Sequence, residues 1–335
     1  MATIKDVAKL AGVSPSTVSR TLSGNAPVDK RTKERVLKAI KALNYKPNIL
    51  AKGLKEGRTK ALGLVLPNIT NPIFPLVARG VEDIARKEGY TVILCNTDED
   101  KDIEIDYINK LKNRWVDGFI FATAGKDAKH ILDLKEDGFP VVLLIRNIEN
   151  KVDSVIIDSF KAAYRATTYL LGLGRKRIAL VNGDESLSLY SERLEGYKKA
   201  LADNNISIEE SLILYEIQDM EGAYKAVKGL YNSGTKPDAI IATCDPKAYG
   251  AARAIKELGL SIPKDVALMG FDNLEMSAFM DPPITTISQP WYEMGATAIR
   301  RLLQLIEGDG KKPKVDMFDV DIIRRESTKI SKGEI

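Results

Sequence analysis

Apolar and polar positions follow two different rhythms along the 335-residue chain, and the change falls near residue 60. In the first sixth the spacing is helical. The stretch "ATIKDVAKLAGV" sets Ile4, Val7, Ala8 and Ala11 at i, i+3, i+4 and i+7, the stripe of an amphipathic helix. Thr3 and Asp6 stand three apart at its start, the spacing of a capping box, and Gly12 offers a left-handed exit without a Cβ penalty. Ser14 is placed to cap a second helix and Pro15 to open its first turn. In that helix Val18 and Leu22 share one face, which leaves Pro15, Ser16, Ser19 and Arg20 pointing away. A third helix is expected over roughly Lys30 to Leu43, with Val36, Leu37, Ile40 and Leu43 as its buried stripe. Two short helices joined by a tight glycine turn predict a helix-turn-helix.

From Ala61 the pattern becomes one of continuous short apolar runs: "ALGLVLP", "TVILC", "GFIFA", "PVVLLI", "RIALVNG", "AIIATC" and "VALMGF". Helical patterns such as "PLVARGVEDIARKEG" and "SERLEGYKKALADN" lie between them. Buried strands alternating with helices predict parallel sheets covered on both faces. There are too many runs for one small sheet, so two doubly wound α/β subdomains are expected. A weak repeat agrees, since "GLVLPNITNP" and "IALVNGDESL" each join a strand to a polar turn. Sheets of this kind bind ligands beyond the carboxyl ends of their strands. The residues there are Asn71 and Phe74, Arg146, Tyr190 and Arg193, Cys244 and Asp245, Asp272 and Asn273, and Gln289 before Trp291. Asp245 and Asn273 serve equally well as helix caps.

Charge separates the two regions further. Residues 1–60 hold 10 Lys and 4 Arg against 4 acidic residues, a net +10, whereas the remainder is −6 and the whole chain +4. A basic first sixth points to a polyanionic partner, because each phosphate neutralised releases counterions. The segment "SPSTVSRTLSG" carries six hydroxyl side chains and one arginine with only two aliphatic residues. Hydroxyls suit phosphate oxygens and arginine suits guanine edges, so this segment is expected to touch duplex DNA.

Other chemistry finds little support. His130 is the single histidine, expected on an exposed helical face, which rules out His-dependent triads and multi-His metal sites. "LGLGRKR" lacks the third glycine of a dinucleotide fingerprint, so Gly172 and Gly174 read as a helix end, and no phosphate-binding loop is present. Cys95 and Cys244 fit no disulfide or metal spacing and read as reduced core or pocket residues. There is no run of 18 apolar residues and no signal-peptide core, so a cytoplasmic protein is expected, without metal or cofactor and without catalytic activity.

The run "ATIKDVAKLAGVSPSTVSRTLSG…TKERVLKAIKALNYKPNILAKGL" resembles the head of the lactose-repressor family of bacterial transcription regulators, and the likeness extends over the whole chain. It implies a helix-turn-helix head over residues 1–46, a hinge over 47–60 and a core over 61–335 like a periplasmic sugar-binding protein. Subdomain one of that core would take about 61–159 plus 292–320, and subdomain two about 160–290 plus 321–335. By the resemblance Pro15, Ser16 and Arg20 face bases, and Ser14, Thr17, Ser19 and Ser23 face phosphates, with Thr3 and Asn48 as further DNA contacts. Leu54 would wedge between base steps of the minor groove. The segment around it is a flexible basic linker on composition alone. Gly53 weakens any helix there by about 1 kcal/mol relative to alanine, so order in the hinge should depend on DNA.

The same likeness places an effector, a sugar or sugar phosphate, in the core cleft. Arg193 and Asp272 would grip it with bidentate bonds to hydroxyls, and Phe74 and Trp291 would offer apolar faces. Two departures blur the identity of that ligand: Cys244 stands where many sugar-responsive members have asparagine, and Met220 where some have tryptophan. A homodimer on a palindromic operator is expected, since no leucine-heptad tail follows Ile330. The catabolite-control members of the family offer an alternative, a phosphorylated carrier protein as corepressor, docking on "RGVEDIARKEGY" with Tyr292 and Arg300.

Overall fold

The computed structural model describes residues 2–23, 27–45, 58–113, 116–123, 125, 127–310 and 312–329. The chain divides into two compact units, Met1–Thr59 and Lys60–Ile335. Asn48 and Leu54 lie outside the described residues, as does the side chain of Ser23.

The first unit holds three helices, α1 (Ile4–Ala11), α2 (Pro15–Ser23) and α3 (Lys30–Ala42). The Thr3–Asp6 box forms in both directions, Thr3 N to Asp6 Oδ2 at 2.8 Å and Asp6 N to Thr3 Oγ1 at 3.4 Å. Gly12 takes φ +61°, and Arg35 of α3 donates from Nη2 to the carbonyls of Ala11 and Gly12. That one guanidinium satisfies the end of α1 and fixes α3 against the turn. Thr17 N donates to Ser14 Oγ at 3.2 Å, capping α2. The unit's core is small: Val7, Ala8, Ala11, Val18, Val36 and Ala39. Leu37 is a correction to the expected stripe. It is 48% exposed, and Ala39 is buried instead. Val36, Ala39, Ile40 and Leu43 complete the i, i+3, i+4, i+7 face, and position 37 lies about 100° around the helix from it.

In the second unit β1 (Ala61–Leu66), α4 (Ile73–Lys87), β2 (Thr91–Asn96), α5 (Lys101–Lys112), β3 (Phe119–Phe121), α6 (Lys129–Glu136), β4 (Val141–Leu144) and β5 (Asp153–Ile157) come first. Next are α7 (Ser159–Gly172), β6 (Ile178–Val181), α8 (Ser188–Asp203), β7 (Ile213–Leu214), α9 (Met220–Asn232) and β8 (Ala239–Ala242). After these come α10 (Asp245–Glu257), β9 (Ala267–Asp272), α11 (Glu275–Phe279) and β10 (Thr285–Ser288). The chain closes with α12 (Trp291–Ile306), β11 (Val315–Phe318) and β12 (Asp321–Ile323). One six-stranded sheet runs β11-β5-β4-β3-β1-β2 and the other β12-β10-β9-β8-β6-β7. Every pairing is parallel except β10 with β12. The chain therefore passes between the sheets three times, after β5, after β10 and after β11, and the carboxyl ends of both strand sets face one cleft.

The strands β5, β7, β10, β11 and β12 were not among the apolar runs, although "TTIS" of β10 precedes the candidate Gln289. Polar Asp153 and Ser154 interrupt β5 although both are buried, and the other four are short or alternate with polar residues. Helices α4 and α12 cross where Gly80 meets Gly295. A Cβ on Gly80 would stand 2.1 Å from the Tyr292 carbonyl, and one on Gly295 would stand 2.3 Å from that of Val77. Gly172 ends α7 and Gly174 takes φ +83°, as the sequence suggests. His130 departs from expectation. It is half-buried, with Nε2 2.5 Å from Glu104 Oε1, because α6 packs it against the buried face of α5.

Candidate functional site: the head surface and the core cleft

On the head, α2 presents Ser16 and Arg20 four residues apart on an exposed face beside Ser14 and Pro15. The hydroxyls form a connected row: Ser14 Oγ lies 2.7 Å from Ser16 Oγ and 2.9 Å from Thr17 Oγ1. Thr17 and Ser19 are half-buried at the base of this face. Thr3 belongs to the capping box, where its hydroxyl also donates to Asp6 at 2.7 Å.

In the core, a cavity of about 380 Å³ lies between the two sheets. It gathers eight of the candidate residues: Asn71, Phe74 and Arg146 from one side, Tyr190, Arg193, Cys244 and Asp272 from the other, and Trp291 where the chain crosses between them. Asp272 ends β9 with φ +116°. Its Oδ1 accepts from Gln289 Nε2 at 2.8 Å, its Oδ2 from Asp245 N at 3.4 Å, and its carbonyl from Trp291 Nε1 at 3.2 Å. Arg193 comes from α8 and is buried. It donates from Nη1 to the Thr243 carbonyl at 2.5 Å, with its guanidinium 4.6 Å from the centre of the Phe271 ring. Its Nε has no hydrogen-bond partner among the described residues. A buried cation whose donors are only partly used, on the same cavity wall as a buried carboxyl group, matches the paired hydroxyls of a polyol.

Burial dominates the electrostatics of this floor. It pushes the Asp272 carboxyl well above the usual carboxylate range, and the neighbouring Asp245 pushes it further. Asp245 is raised by burial only to about 6, because Ser277, Thr286 and the Leu274 amide donate to it. Of the two, Asp245 has the better claim to the charge, since three donors favour its ionised form. Burial likewise lifts the Cys244 thiol to about 11, which keeps it a neutral thiol rather than a nucleophile. Behind Tyr190 sits Lys247, fully buried, its Nζ donating to Thr243 Oγ1 at 3.1 Å and lying 4.4 Å from the tyrosine ring centre. A Cβ on Gly183 would come within 2.4 Å of that same ring, so a side chain there would collide with it.

Three candidates fall elsewhere. Met220 is 48% exposed at the start of α9 and does not line the cavity, whose wall on that side is Ile217 and Gln218. Asp245 is enclosed and braces the β9–α11 turn; neither it nor Asn273 caps a helix in the ordinary sense. Gln289 stands behind Asp272 and orients it. Arg146 does line the cavity, but Glu99 engages it in a bidentate pair and the Thr123 carbonyl accepts from it at 2.7 Å. Asp98 and Glu99 are residues the sequence reading missed, although "TVILC" had been read as a strand and they form its carboxyl-end turn.

A family model described as "Bacterial regulatory proteins, lacI family" matches residues 3–48. One described as "Periplasmic binding proteins and sugar binding domain of LacI family" matches residues 59–326. The chain belongs to the lacI family. It is a DNA-binding transcription regulator of repressor type with an effector-binding core, and not an enzyme. Among curated relatives, the HTH-type transcriptional regulator RegA of Clostridium acetobutylicum is 42% identical, with 98% of this chain and 99% of that protein aligned. Catabolite control protein A of Priestia megaterium is 35% identical over 98% of this chain and 99% of its own length. Among solved structures, the lac repressor dimer bound to operator and the anti-inducer ONPF superposes with a TM-score of 0.89. It is 28% identical to this lacI-family chain and covers 98% of it and 99% of its own length. Among the described residues no group of three or more His, Cys, Asp or Glu could hold a metal ion, and no helix is long and apolar enough to cross a membrane.

Proposed function

We propose that this regulator is a dimeric cytoplasmic repressor of carbohydrate genes whose operator affinity is set by a sugar held in the core cleft. The observation that carries the reading is the placement of buried Arg193 and Asp272 together on one wall of a cavity that Phe74 and Trp291 line with apolar surface. The head, residues 1–46, reads a palindromic operator: Arg20 and Ser16 with Pro15 face bases, and Ser14, Thr17, Ser19 and Ser23 face phosphates. A hinge over residues 47–60, with Asn48 and Leu54, enters the minor groove. The effector touches Phe74 and Arg146 on one side of the cleft and Tyr190, Arg193 and Asp272 on the other. A ligand that bridges the two favours the closed core, and that difference in affinity is all it can use to shift the DNA-binding state.

The relation to catabolite control protein A favours a second reading, with a phosphorylated carrier protein as corepressor. Arg79, Arg86, Tyr292 and Arg300 stand exposed along α4 and α12 among acidic Glu82, Asp83 and Glu293, and Tyr292 donates to Asp83 at 3.2 Å. A thermal-shift screen of sugars and sugar phosphates against the whole protein, beside a pull-down with Ser-phosphorylated carrier, separates the two. Sugar binding raises the melting temperature with ligand concentration. Carrier capture without any sugar response favours the second reading.

A further inference from the structure

The cleft does not end at the effector cavity. A second cavity of about 220 Å³ adjoins it and shares Glu99, Asp184 and Leu187 with its wall. Its other walls include Glu104 and His130 from α5 and α6, Thr123 after β3, and Ser186 before α8, so it too lies between the two subdomains. Two buried polar atoms of this wall, Thr123 Oγ1 and His130 Nδ1, have no hydrogen-bond partner among the described residues. Thr123 is only 8% exposed. A buried hydroxyl without a partner is costly unless a ligand or water satisfies it. The main cavity already has the volume of an ordinary small-ligand site. The annex is therefore additional room, built from polar groups.

We propose that the effector is an unphosphorylated sugar of at least two rings, the first gripped by Arg193 and Asp272 and the second seated in the annex against Thr123 and His130. This rests on the sugar reading of the cleft and deepens it. Charge selects the class. The annex carries Glu99, Asp100, Glu104, Asp127 and Asp184 against Lys101 and His130. Lys101 is paired with Asp127 at 2.5 Å, and His130 Nε2 lies against Glu104. Even with Arg146 paired to Glu99, acidic side chains outnumber basic ones among the described residues of this wall, which disfavours a phosphate there. Hydroxyl groups meet acceptors. Because Asp184 and Leu187 come from the second subdomain and Thr123 and His130 from the first, a second ring adds contacts across the same closure.

The test uses the full chain in calorimetry with glucose, galactose and ribose, with maltose, cellobiose and lactose, and with glucose 6-phosphate. The variant is Thr123→Val. The threonine hydroxyl has no hydrogen-bond partner among the described residues, so the substitution removes none of the hydrogen bonds described, and an unchanged melting temperature verifies the fold. The expected result is that one disaccharide binds about tenfold or more tighter than its component monosaccharide, with most of that advantage lost in T123V and the monosaccharide affinity unmoved. Equal affinity for one and two rings with T123V altering neither, or tightest binding by glucose 6-phosphate, overturns the annex and leaves the cleft reading standing. Silence of every sugar, together with an Arg193→Ala variant whose operator response to the panel matches the native protein, overturns the sugar reading and the annex with it.

Discussion

Head and core deploy their polar residues in opposite ways. In the head, Ser14, Pro15, Ser16 and Arg20 stand exposed on a helix that needs only six small buried residues to support it. In the core, Arg193, Thr243, Asp245, Lys247, Asp272 and Gln289 are buried, and each is held by other polar groups. On the proposed function the contrast follows from the ligands. A duplex is a large, strongly charged surface that can be met from outside, and protein–DNA interfaces keep ordered water between the partners. A small polyol offers only hydroxyls, so selectivity demands enclosure and donors fixed before it arrives. One region therefore recognises by field and the other by geometry.

The sharpest way to break that contrast lies in the cleft. Arg193→Ala and Asp272→Ala should each abolish the effector response, a loss of the whole coupling of about 1–3 kcal/mol, while operator affinity without effector stays as in the native protein. Operator titrations with and without the tightest-binding sugar check this, and retention of the full response in both variants would move the signal's entry to the face around Tyr292 and Arg300. In the head, Arg35→Ala removes the donor to the Ala11 and Gly12 carbonyls. It should destabilise that unit by about 1–3 kcal/mol and weaken operator binding on every sequence, yet leave calorimetric sugar affinity untouched. Arg20→Ala should instead relax choice at one base pair per half-site by about 1–3 kcal/mol. Binding-site selection distinguishes uniform weakening from relaxed choice.

A smaller effect tests whether the buried floor is arranged for binding at the expense of stability. Asp272→Asn keeps the oxygen that Gln289 donates to and nearly the shape of the native side chain. The native carboxyl has its pKa raised in the fold above the ordinary 3.8. In acid both folded and unfolded chains hold its proton. As pH rises past the unfolded value the unfolded chain releases it first, so the native protein loses stability toward alkaline pH. The variant should accordingly melt about 2–4 °C higher at pH 8, with the gap closing toward pH 4. Melting curves across that range measure it, and a gap that widens in acid contradicts the burial account.

How far the sequence carries this picture differs between the regions. The head's caps, glycine turn and outward residues were readable, because they depend on spacings of three and four along one short segment. Leu37 misled, since an apolar residue beside the stripe looks the same in sequence as one within it. In the core, strands with uninterrupted apolar runs stood out. The strand β5 did not, because its buried Asp153 is satisfied from far along the chain, by Arg301 at 2.5 Å and the Lys314 amide at 3.1 Å. The same limit explains the site. Proximity to strand ends identified Arg193, Asp272 and Phe74, but whether a polar side chain faces the cavity or the fold is decided by tertiary partners. Asp245 and Gln289 turned inward to brace Asp272. Glu99 joined the wall through Arg146, which lies 47 residues away.

The most direct test of the central claim, that closure of the core cleft sets the state of the head, is a reciprocal linkage measurement on the full chain. Sugar affinity is titrated by calorimetry with the protein free and then saturated with operator, and operator affinity is titrated without sugar and then at saturating sugar. The account predicts the same factor in both directions, about 5–150-fold, and no factor at all in Arg193→Ala. A sugar that binds equally well to the free and the operator-bound protein would contradict it.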